Sequence, residues 1–169
     1  MLSAQRGFTL IELLVVIAIM GLVGAFTLAN YRSFGEDQNL KNALLDVQSI
    51  LRTAQTNATA NVKCDTQYGA TWTVEFSSTT NINLKCTEPQ ASATLKKSSS
   101  LGSNIEIQSI TGTGSNCPSG LPFQIAFASL KRQADLGNAN CASVTIIIKN
   151  NKGAVKSLVI EQGGRIYEQ

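Results

Sequence analysis

One carboxylate stands alone in an apolar run. From Phe8 to Ala29 the chain reads FTLIELLVVIAIMGLVGAFTLA, about 22 residues whose single charge is Glu12. An acid at the centre of a bilayer costs about 2.5–3.5 kcal/mol on insertion scales, and one nearer the end of the span costs less. A carboxylate in such a place marks a functional site and needs a cationic partner. The run contains no Lys, Arg or His that could serve.

Much other chemistry is excluded. The sequence has no histidine, which removes Ser-His-Asp and Cys-His catalysis, imidazole zinc sites and histidine acid–base work. No carboxylates are paired in sequence and no nucleophile motif is present, so the chain is not expected to be an enzyme, and no cofactor or metal is expected. Gly112 and Gly114 form a Gly-x-Gly, but no helix follows to aim its N-terminus at a phosphate.

Four cysteines remain, Cys64, Cys86, Cys117 and Cys141, without a C-x-x-C spacing. In an exported domain an even count favours disulfides over a metal site. Four cysteines allow three pairings, of which the sequential one, Cys64–Cys86 with Cys117–Cys141, is preferred. Each bridge would close a loop of roughly 25 residues and stabilise by about 3–3.5 kcal/mol in the chain-entropy model.

The last third is basic. Between Lys131 and Arg165, the cations Lys131, Arg132, Lys149, Lys152, Lys156 and Arg165 stand against Asp135 and Glu161, a net +4. They are candidates for nucleic-acid contact, set against a plainer reading as lysines on strand edges that discourage edge pairing. Trp72 could stack a base, but a buried strand aromatic is the reading preferred.

Arg6-Gly7-Phe8-Thr9-Leu10-Ile11-Glu12, followed by an apolar helix, resembles the N-terminus of type IV prepilins and type II secretion pseudopilins. The resemblance implies a membrane peptidase that cuts between Gly7 and Phe8, and N-methylation of the new terminal Phe8. It implies that Glu12, fifth in the mature chain, faces the terminal amine of a neighbouring subunit. The implied partners are other pilin or pseudopilin subunits, the prepilin peptidase, the inner-membrane pilus or secretion assembly machinery, and membrane lipid before assembly. A minor pilin at a filament tip would add DNA or a surface. Many members of the family carry a proline near the end of this segment. Here Gly21 and Gly24 are the only candidates for local loosening.

These groups need elements to hold them. A helix of about 22 residues rises roughly 33 Å, enough for a hydrocarbon core of about 30 Å. A secretory signal peptide would have a shorter core and a small-residue cleavage site. A plain single-span anchor leaves Glu12 unpaired, and a buried core helix would not be apolar on all faces. The N-terminal segment is positively charged, which keeps it cytoplasmic and exports the remainder. The expected location is a single-pass membrane protein, then a surface pilus or periplasmic pseudopilus.

Beyond Gly35 the pattern becomes amphipathic. Leu40, Leu44, Val47, Leu51, Ala54 and Ala58 fall on one stripe flanked by Ile50, predicting a helix over 35–61 continuous with the apolar one. From Cys64 the period becomes two. Strands are predicted at 71–76, 81–86, 93–96, 104–110, 122–129, 142–149, 154–161 and 165–168, with a loop over 111–120 and turns at 77–80, 150–153 and 162–164. Helix first and antiparallel strands after is an α+β order. It agrees with the pilin architecture, a long N-terminal helix packed against a C-terminal antiparallel β-sheet. The expected organisation is a leader at 1–7, a transmembrane and assembly helix at 8–30, an amphipathic outer half at 31–62 and an exported disulfide-bonded sheet region at 63–169.

Overall fold

The computed structural model describes the backbone of residues 8–169, and their side chains except those of 26–34. The expected leader, 1–7, with Arg6 and Gly7, lies outside the described residues. Contacts divide the chain into two compact units, Met1–Gln38 and Asn39–Gln169.

Helix α1 runs Leu10–Thr59. Its end is written in the local sequence. Asn61 takes the left-handed conformation with φ 50°, the backbone shape that stops a helix and that Asn tolerates. Asn61 N–H donates to Ala58 O at 3.1 Å and Val62 N–H to Asn57 O at 2.8 Å. That pair of bonds satisfies carbonyls otherwise orphaned in the last turn.

Within the second unit, one stripe of α1 is buried: Leu40, Ala43, Leu44, Val47, Ile50, Leu51, Ala54 and Ala58. The expected stripe is the observed one, with Ala43 added. The two alanines near its end are fully buried, and their small side chains let the strands come close.

Nine strands follow: β1 Thr71–Phe76, β2 Asn81–Thr87, β3 Ala93–Ser100, β4 Ile105–Gly114, β5 Phe123–Phe127, β6 Ala134–Asp135, β7 Cys141–Asn150, β8 Val155–Glu161 and β9 Ile166–Glu168. They form two antiparallel sheets, ordered β3-β2-β1-β5-β6 and β4-β7-β8-β9. The fold is α+β, an N-terminal helix packed against antiparallel strands. In the first sheet Trp72 faces Cys86 and Phe127, Val74 faces Leu84 and Ile125, and Phe76 faces Ile82 and Phe123. In the second, Ile146 faces Ile110 and Leu158, and Val144 faces Ile160. All of these inward residues are buried in one core with the helical stripe. Burying one face of a strand is what the alternation in sequence requires; β3, at the sheet edge, has no buried residue.

Disulfides join Cys64 to Cys86 and Cys117 to Cys141, with separations of 22 and 24 residues, and no cysteine is free among the described residues. The first ties the segment after α1 to β2. The second ties the segment after β4 to the start of β7.

Three elements differ from expectation. Thr111–Gly114, read as loop, is the end of β4, because the long β7 offers it partners through Thr111↔Thr145, Gly112↔Val144 and Thr113↔Ser143. Long-range pairing overrides the weak strand preference of the two glycines there. Strand β3 runs on to Ser100 by pairing with β2, past the polar Lys-Lys-Ser-Ser that hides it in sequence. The short β6 pairs with β5 through two residues and has no period to reveal it.

Among the described residues, no helix is long and apolar enough to cross a membrane. The apolar run with described side chains stops at Ala25, sixteen residues from Leu10, where a span takes about 20.

Candidate functional site

The N-terminal end of α1 is built by Thr9. Its Oγ1 accepts from Glu12 N–H at 3.3 Å, and its carbonyl accepts from Leu13 N–H at 3.2 Å. Thr9 therefore caps the helix, and Thr9-x-x-Glu12 has the spacing of a capping box. This second setting for Glu12 is legible in the sequence as a Thr-x-x-Glu before an apolar run. A carboxylate in the first turn is also favoured by the positive end of the helix dipole.

Around Glu12 the surface is apolar and uncovered. Phe8 is 86% exposed, Leu10 82%, Ile11 72% and Met20 70%. Leu13, Leu14, Val15, Val16, Ile17, Ile19, Leu22 and Val23 are exposed as well. No cation in the described part of this segment neutralises Glu12. A helix apolar on every side and bare on every side is incomplete in water, since soluble proteins seldom leave large contiguous apolar patches open.

The six basic candidates do not converge. Lys149, Lys152 and Lys156 surround the turn from β7 to β8. Arg165 lies in the turn from β8 to β9, and Lys131 and Arg132 join it there, because Gln55 Nε2 donates both to Arg132 O at 3.0 Å and to Gly164 O at 2.7 Å. The two groups sit at opposite ends of the seven-residue β8, about 20 Å apart at the rise of a strand. Acids occupy several of them: Lys149 pairs with Glu106 at 3.0 Å, Lys156 with Glu168 at 2.5 Å, and Arg165 with Glu161 at 3.8 Å. Trp72 is buried, so its ring is not a stacking platform.

Two polar constellations escaped the sequence reading because their members are distant along the chain. Glu88 accepts from the backbone N–H groups of Asp65 at 2.9 Å, Thr66 at 2.6 Å and Gln67 at 2.8 Å, and from Thr66 Oγ1 at 3.1 Å. The Gln67, Asp65 and Thr66 amides hold its carboxyl down at about 2, since hydrogen bonds to the charged form favour it. On the outer face of the first sheet, Glu75 takes Lys85 at 2.6 Å, Asn83 at 3.3 Å and Gln124 at 3.0 Å. Lys85 leads in lowering its pKa. Both are structural ties rather than reactive groups: each carboxylate is saturated by partners.

Among known proteins, residues 2–28 match the prokaryotic N-terminal methylation motif. Two fimbrial proteins of Pseudomonas aeruginosa are each 39% identical over 57 residues, 34% of this chain and 36% of the relative. The chain thus matches about a third of the length of these curated relatives. No solved structure matches. The motif and the fimbrial relatives support the type IV pilin family for this chain.

Proposed function

We propose that this chain is a structural filament subunit, a type IV pilin or pseudopilin that is cut between Gly7 and Phe8, N-methylated at Phe8 and polymerised through its N-terminal helix. The observation that carries this reading is the methylation motif over residues 2–28, together with the stretch of α1 from Leu10 to Ala25, whose apolar side chains are all uncovered. Lipid covers that surface while the subunit waits in the inner membrane as a single span over 8–30. Neighbouring helices cover it in the filament.

Glu12 gives the exchange its direction. In lipid its charge is costly. In the filament it meets the Phe8 amine of another subunit in a charge-assisted contact. Donor and acceptor lie at different places on the two copies, so the contact is heterologous and extends without closing. The disulfide-bonded unit is then displayed outside the membrane, where an oxidising environment keeps its bridges. The assembly machinery and the peptidase are the partners this requires.

Processing is tested by intact-mass measurement of the membrane-extracted protein. The mature chain is expected to begin at Phe8 with one added methyl group, and Gly7→Leu to retain the leader. A wild-type chain beginning at another residue would overturn the proposed cut.

A further inference from the structure

Each disulfide has a second, non-covalent closure beside it. The bridges close loops of 22 and 24 residues, and a hydrogen-bonded contact next to each bridge holds the same loop shut. At Cys64–Cys86 that contact is the Glu88 carboxylate on the amides of Asp65, Thr66 and Gln67. Those three residues follow Cys64 directly, and Glu88 lies two residues beyond Cys86. The turn is also closed on itself, since Cys64 N–H donates to Gln67 O at 3.4 Å. Lys96 on β3 adds an ion pair to Asp65. Pro89 steers the backbone of Glu88 toward extended conformations, which limits where its carboxylate can reach.

At Cys117–Cys141 the contact is a neutral amide. Asn138 Nδ2 donates to Asn116 O at 3.0 Å, and Cys141 N–H donates to Asn138 O at 3.0 Å. Asn116 immediately precedes Cys117, and Asn138 lies three residues before Cys141.

Neither contact passes through a sulfur atom, so neither needs its bridge in order to form. With Glu88 on the Asp65 amide, one step along the chain separates Cys64 from the contact and two separate Cys86 from it. The path between the two thiols is thereby cut from 22 residues to a few steps, and the entropy cost of closing a loop falls with its length. The Cα atoms then stand 5.7 Å apart at the first bridge and 5.0 Å at the second, within the range a disulfide spans.

We propose that Glu88 is a positioning residue for the oxidation of this chain. In the reduced protein its carboxylate holds residues 65–67 and so selects Cys64 as the partner of Cys86, while the Asn138 amide selects Cys117 for Cys141. The inference concerns the second unit alone and goes beyond the filament reading: it holds whether or not the chain polymerises.

The oxidant is a small disulfide, here glutathione disulfide. One cysteine thiolate attacks it, so that its S–S bond breaks, a mixed S–S bond forms and a glutathione thiolate leaves. The partner thiolate then attacks the protein sulfur of the mixed disulfide and expels the second glutathione. Two protons and two electrons leave the cysteine pair, and one glutathione disulfide becomes two glutathione thiols. Only the second attack is intramolecular. Its rate follows the effective concentration of the partner thiol, which is what the two contacts raise.

The test reduces full-length protein in detergent micelles, removes the reductant and reoxidises with glutathione disulfide at neutral pH. Thiols are trapped by alkylation at intervals, and each bridge is counted from its own peptide pair. Glu88→Gln keeps the side-chain shape and removes the charge. It is expected to slow closure of Cys64–Cys86 roughly tenfold while Cys117–Cys141 stays within about twofold of wild type. Asn138→Ala is expected to do the reverse. A role in overall stability alone would slow both bridges together, so equal slowing at both sites would overturn the proposal. An unchanged closure of Cys64–Cys86 in Glu88→Gln would overturn it too.

A second measurement leaves Glu88 intact. Cys64→Ser/Cys86→Ser removes the first bridge, and the amides of Asp65, Thr66 and Gln67 are expected to remain protected from hydrogen exchange. Exchange of those amides at free-chain rates would show that the bridge holds the carboxylate contact rather than the contact preparing the bridge, and the proposal would fall.

Discussion

At the scale of single residues, the sequence is most legible where one residue has no neighbour to explain it. Glu12 is conspicuous because its surroundings are apolar, and the cysteines because they are few and even in number. Glu88 is different. Its partners, Asp65, Thr66 and Gln67, lie more than twenty residues upstream, and backbone amides carry no sequence signature. Its lowered pKa still has a measurable consequence. A carboxylate whose folded pKa lies below its unfolded value of 4.5 adds stability that is present above that value. The contribution is lost as pH falls from about 4.5 toward about 2. Thermal unfolding of wild type and Glu88→Gln across pH 7 to 2 should therefore show the variant less stable at neutral pH and the gap narrowing through that window. A gap constant with pH would mean that the amides do not depend on the charge.

At the scale of elements, what could be read is what has a period. The stripe from Leu40 to Ala58 and the alternations of β1, β2 and β7 appear where expected, because burial of one face imposes a spacing of 3.6 or 2. What could not be read depends on a partner. Gly112 and Thr113 look like loop until β7 lies beside them, and Gly112 is needed there because a Cβ would run into the Cys117–Cys141 bridge. The turn between β8 and β9 has a similar demand. Gly164 has φ 86°, and a Cβ on it would meet Arg132 O and Gln55 Nε2, the amide that ties α1 to both carbonyls. Gly164→Ala is expected to destabilise the domain by about 1–3 kcal/mol through backbone strain and the displaced amide. Chemical denaturation reads this directly, and an unchanged midpoint would contradict the close approach. Gln55→Ala should cost less, about 1 kcal/mol, as it removes hydrogen bonds without adding strain.

At the scale of the whole molecule, helix-then-strands predicted the α+β class, but not that the strands divide between two sheets. Sheet membership is set by which edges meet, and β4 to β7 and β1 to β5 are pairings across long stretches of chain. The disulfide-bonded unit buries its own core. The first part of α1, from Leu10 to Ala25, buries none of its apolar side chains, and this asymmetry is what the filament reading explains. Glu12 carries the central claim, and its place in the capping box adds a control. Glu12→Val removes both the cap partner and the charge, whereas Glu12→Gln keeps a hydrogen-bonding group at the cap and removes the charge alone. Neither change should hinder membrane insertion, because each makes the span less costly. The decisive measurement counts filament-incorporated against membrane-held protein for wild type, Glu12→Val and Glu12→Gln at equal expression. The account predicts normal insertion and disulfides in all three but a drop in incorporation of at least roughly tenfold in both variants, since breaking a buried ion pair costs about 3–5 kcal/mol. Incorporation of Glu12→Gln at the wild-type level would contradict the charge-pair mechanism, and equal incorporation of Glu12→Val would contradict the assembly role of Glu12 altogether.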